Sequence, residues 1–124
     1  IYDGYKDENN FDIEEYNYQK KLLEHKDLKR DLLNTYLESW NNYDYYLNKI
    51  NNQEKIINSL ELKLKGNEIL YKAQKIDITK LIESRNDLND AHNILLDLKS
   101  SKNYYLIDIL ILNGDLNTII NGLG

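Results

Sequence analysis

The residues able to do chemistry are few and scattered. His25 and His92 lie far apart along the chain, and neither has a second ligand or a catalytic partner at a working spacing. His25 stands in "LEHKDLKR", which reads as a solvated charged face, and His92 reads as a surface residue flanking Ala91. The acidic run "DENNFDIEE" at 7–15 invites a calcium-loop reading. A loop of that kind needs glycine at its sixth position and a bidentate glutamate at its twelfth, and here Asp12 and Tyr18 occupy them. The run fits a helix start, where acids are favoured by the positive end of the helix dipole. The tail "NGDLNTIINGLG" has glycines but no phosphate loop leading into a Lys-Ser/Thr helix. There is no cysteine, hence no disulfide framework, thiolate metal site or thiol chemistry. The expectation is a protein that is not an enzyme and needs no cofactor or metal.

Charge and hydropathy narrow the partners. Twenty-one acidic and 16 basic residues leave a net charge of −5, which disfavours nucleic acid. The longest apolar run, 104–112, contains Asp108 and falls far short of the roughly 20 residues that span a bilayer as a helix. No excess of Lys and Arg on the charged face supports binding to anionic lipid. The missing initiator methionine implies a piece of a longer product.

The elements carry more information than the reactive groups do. Residues 12–73 contain no proline and only Gly66, so nothing interrupts a helix there. One heptad series reads Leu22, Lys29, Tyr36, Tyr43, Ile50, Ile57, Leu64, Tyr71. Its companion reads Leu33, Trp40, Leu47, then meets Glu54 and Glu61, with Leu60 taking over, which implies a local phase shift. The second half keeps strict 3-4 spacing: Leu81, Ser84, Leu88, Ala91, Leu95, Leu98, Lys102, Tyr105, Ile109, Leu112, Leu116, Ile119. Most of the tyrosines on these stripes read as packing residues, not as stacking platforms for sugars or bases.

Asn113-Gly114-Asp115 is a turn signal expected to end or break the second helix, leaving a tail at 114–124 whose end, 121–124, is expected to fray. The spacing thus predicts an all-α chain: a long helix over 12–73, a tight turn at 73–77, and a shorter helix over 78–113. Packed as an antiparallel coiled-coil hairpin, the shorter helix covers only the nearer half of the longer one. Residues 12–38, with Leu22, Leu23, Leu28, Leu32 and Leu33, are left without an intrachain mate, so the piece belongs to an assembly.

At the turn, "ILYKAQKIDITKL" (69–81) offers Asp77 as N-cap of a helix starting at Ile78. The plain reading is a helix connection of ordinary length. Ile76 is an apolar residue with nothing in an exposed rod end to pack on, which points to a docking surface at Ala73, Gln74, Lys75, Ile76 and Asp77.

The pattern Y-x-x-x-x-x-x-I-x-x-L-I-E-S-R-N-D-L-x-x-A over 71–91, followed by "NYYLIDILILNGDL" at 103–116, resembles the C-terminal repeat of the outer-membrane efflux proteins, the TolC family. "IYDG" at 1–4 resembles the end of that family's last barrel strand, so residues 1–6 are expected as a strand exit, with Tyr2 and Tyr5 as interfacial aromatics. The resemblance runs in order over nearly the whole chain. It implies the periplasmic helical hairpin of a homotrimeric exit duct in the outer membrane. The tip of such a duct meets a periplasmic adaptor, and through it an inner-membrane pump that exports drugs or proteins. It further implies that 73–77 is the tip and that Tyr71 and Glu83 match residues lining the periplasmic aperture. The family's tip glycine is replaced by Gln74, a second aperture carboxylate by Lys80, and an arginine restraining the closed state by Ile76. The aperture of this chain would then be held by mixed charge. Without the resemblance, the same elements describe a free-standing coiled-coil adhesin or scaffold.

Overall fold

The structure, a computed structural model, describes residues 3–122. The chain is all-α. Helix α1 runs over Asp3–Lys72 (70 residues), helix α2 over Ile78–Gly122 (45 residues), and residues 73–77 join them in a helical hairpin. No strand occurs among the described residues. Contacts divide the chain into two units, one of Ile1–Leu37 with Ile111–Gly124, the other Glu38–Leu110.

In the unit Glu38–Leu110 the helices run antiparallel and bury a narrow seam. From α2 the seam takes Leu81, Ser84, Leu88, Ala91, Leu95, Leu98, Lys102, Tyr105 and Ile109, all buried or half-buried, as the 3-4 spacing predicts. From α1 it takes Ser39, Tyr43, Tyr46, Ile50, Gln53, Ile57, Leu60, Leu64 and Asn67. The heptad series through Tyr43, Ile50, Ile57 and Leu64 is therefore right, but its companion is not. Trp40 and Leu47 are each 39% exposed, whereas Ser39 is 3% and Gln53 8% exposed. The true companion lies one residue earlier, at 39, 46, 53, 60 and 67, and no phase shift is needed. Polar side chains hold core positions here because each finds a partner across the seam, which removes the penalty for burying them. Tyr46 stacks on Tyr105 with ring centroids 5.6 Å apart. Of the stripe tyrosines, Tyr36, Tyr43 and Tyr105 are half-buried, whereas Tyr71 is 40% exposed.

In the other unit, α2 continues through Asn113-Gly114-Asp115 without a break. A helical glycine costs roughly 1 kcal/mol relative to alanine, but Leu112 and Leu116 on either side are buried and Ile119 half-buried. Their burial outweighs the turn signal, and Gly114 shows no positive φ. On α1 the half-buried positions are His25, Asp27, Leu32 and Tyr36, while every residue from 10 to 24 is exposed. The expectation of an unmated stretch over 12–38 therefore holds for its first part only. His25 is not on a solvated face: its Nε2 is screened from solvent and has no hydrogen-bond partner among the described residues. His92 is exposed, as expected.

The strand exit expected over 1–6 is also corrected. Residues 3–6 are the first turn of α1, and Ile1 and Tyr2 lie outside the described residues. A strand needs a neighbour to satisfy its backbone groups, whereas a helix satisfies its own. With no strand beside it among the described residues, this segment joins the helix that follows.

Candidate functional site

The turn is closed by caps at both ends. Lys75 N donates to Leu70 O at 2.8 Å and Gln74 N to Tyr71 O at 2.9 Å, the paired bonds of a Schellman C-cap. Such a cap requires its residue after the helix to enter the left-handed region, and Gln74 does so with φ 61°. Glycine favours that conformation, while a side chain there costs roughly 1–2 kcal/mol. Asp77 then caps α2 as its sequence position predicts: one carboxylate oxygen accepts from Ile78 N at 2.8 Å, the other from Thr79 Oγ1 at 3.1 Å.

Ala73, Gln74, Lys75 and Asp77 are exposed, but Ile76 is half-buried. The idea of a free apolar residue at the tip is thus corrected for Ile76, which is half-buried, while Ile69 and Tyr71 before the turn and Ile78 after it are exposed. Lys80 and Glu83 come together as walls of a shallow cavity of about 300 Å3 completed by Lys63, Asn67 and Ser84. Tyr71 is apart from them and lines a separate cavity with Glu68, Lys72, Leu81 and Arg85. There the Arg85 guanidinium approaches the Glu68 carboxylate at 3.8 Å across the helices, a loose surface pair.

The residues that sequence reasoning missed are the polar layers of the seam. Ser39 Oγ donates to Asp108 Oδ2 at 2.7 Å, Gln53 Nε2 to the Ala91 carbonyl at 3.0 Å, and Asn67 Nδ2 to Ser84 Oγ. Ser84 in turn donates to Lys80 O at 2.9 Å. Ala91 leaves its own carbonyl open because it has no side-chain atoms beyond Cβ, which is what lets Gln53 reach the backbone. Ser39, Gln53 and Asn67 recur every second heptad on α1, a signal that a search for apolar positions passes over. A slip of either helix by one heptad would separate all three pairs, so the layers fix the register.

Among the described residues, no group of three or more His, Asp or Glu side chains is placed to hold a metal, and no helix is long and apolar enough to cross a membrane. No family model, curated protein or solved structure matches this chain.

Proposed function

We propose that this hairpin is the periplasmic α-helical part of a trimeric outer-membrane exit duct, docking at its turn onto a periplasmic adaptor of an export pump. The observation that carries the reading is the inequality of the helices, 70 against 45 residues, together with a stretch at 10–24 that is helical yet exposed throughout. A lone helix of that kind draws little stability from local propensity and requires packing partners. A duct built from several chains and segments supplies them. The role is passive: the register-locked seam makes a stiff strut, the capped turn holds its tip in one shape, and energy comes from the partner pump.

The test is a photo-crosslinking residue placed at Lys75, and separately at Tyr16, in cells with a two-membrane envelope. The expected result is capture at Lys75 of an adaptor that also co-purifies with an inner-membrane pump, with Tyr16 crosslinking within the duct. Capture of adaptor at neither position, with crosslinks only between copies of the chain, would overturn the reading. A free-standing coiled-coil adhesin or scaffold is the second reading. It is favoured by the helical state of residues 3–6, where a duct uses a strand to leave the membrane.

A further inference from the structure

We infer that the turn end of the hairpin is a basic docking surface whose partner is an acidic protein surface; the inference rests on the exit-duct reading for the identity of that partner, not for its chemistry. Segment 63–85 holds six cations, Lys63, Lys65, Lys72, Lys75, Lys80 and Arg85, against three anions, Glu68, Asp77 and Glu83, within a chain of net charge −5. The anions are more occupied than the cations. Glu68 faces Arg85, and both oxygens of Asp77 are engaged in capping α2. None of the five lysines is in an ion pair among the described residues, and all five are exposed. The charge of segment 63–85, which lies between Glu61 and Asp87, is thus opposite in sign to that of the chain as a whole.

A purely structural account explains part of this pattern. Lys72 lies in the last turn of α1 and Lys75 just beyond it, where cations relieve the negative end of the helix dipole. It does not explain Lys80. That residue follows Ile78 and Thr79 in the first turn of α2, which has no acidic residue and where the dipole disfavours a cation. Local stability would place a carboxylate there. A lysine at that point adds to the positive field of the α2 N-terminus, and it lines one cavity with Lys63 and Glu83.

Ile76 is half-buried, while Ile69, Ile78 and Ile82 are exposed on the same segment, so an anionic membrane is the competing partner, which the vesicle arm of the test separates. Complementary charge of this kind governs partner choice and the rate of encounter.

The test uses the full chain and a synthetic helical hairpin carrying glutamates at its turn, with a lysine-bearing twin as control. The glutamate hairpin is expected to bind and the lysine hairpin not to bind. Affinity should fall at least about tenfold between about 0.05 and about 0.5 M salt, as screening shortens the reach of the charges. The pair Lys75→Glu and Lys80→Glu should weaken binding by about tenfold or more. Lys20→Glu, far along α1, should leave it unchanged. Circular dichroism of each variant reports whether the hairpin remains folded, and Lys75→Gln with Lys80→Gln serves as a milder second pair. Equal binding of the two hairpins, insensitivity to salt, or preferred binding to phosphatidylglycerol vesicles would overturn the inference. Adaptor capture at Lys75 that survives charge reversal would keep the duct and remove the basic tip. Charge-selective binding without adaptor capture would keep the basic tip and remove the duct.

Discussion

Residues 39–67 and residues 10–24 of α1 belong to one uninterrupted helix and share one heptad phase, yet they live under different conditions. Counting back from the packed stripe in steps of three and four leads to Phe11, Tyr18 and Leu22, with only Glu15 polar among them. In the packed stretch the same phase gives buried Ile50 and Ile57 and buried Ser39 and Gln53. So the stretch that has a mate tolerates polar side chains in its seam, and the stretch without one keeps apolar residues exposed. A polar residue in the seam is stabilised only if a specific partner stands opposite, whereas an apolar residue accepts any apolar neighbour. The difference teaches that register is fixed by polar partners inside the hairpin, whereas the exposed apolar positions at 10–24 carry no such lock.

The largest way to break the comparison is truncation at matched positions. Ile57→Ala is expected to destabilise the chain by about 2–4 kcal/mol through lost burial and the cavity left behind, while Leu22→Ala changes stability by no more than about 0.5 kcal/mol. Urea titration of both variants measures this, and equal losses would mean that the stretch at 10–24 is already packed. Next comes the seam itself. Gln53→Ala removes a buried side chain and its bond to the Ala91 carbonyl, for an expected loss of about 1–3 kcal/mol. Gln53→Leu should recover most of that stability but broaden spin-label distances between the helices, because an apolar residue no longer selects one register. At the turn, Asp77→Ala should cost about 1 kcal/mol by uncapping α2. The smallest change runs the other way: Gln74→Gly should raise the melting temperature, gaining about 0.5–1 kcal/mol where φ is 61°.

Much of this was legible in the sequence, and the failures share a cause. The α2 stripe from Leu81 to Ile119, the turn at 73–77 and the Asp77 cap could be read because each depends on local spacing or on one side chain beside its own backbone. The α1 companion series was misplaced because Trp40 and Leu47 outrank Ser39 and Gln53 in hydrophobicity. Only the opposing Asp108 and Ala91 show why the polar residues face inward. The break expected at Asn113-Gly114-Asp115 failed likewise: a local turn preference lost to the burial of Leu112 and Leu116. Ile76 looked exposed because the sequence does not reveal that a left-handed Gln74 turns the chain and half-buries it.

The central claim is that α1 is mated in its seam and waiting for a mate at 10–24. Segment-resolved hydrogen exchange of the monomeric chain tests it most directly. The account predicts slow exchange over 43–64 and 84–109 and fast exchange over 10–24, with protection at 10–24 appearing only when a partner binds there. Equal protection of 10–24 in a chain shown to be monomeric would contradict it.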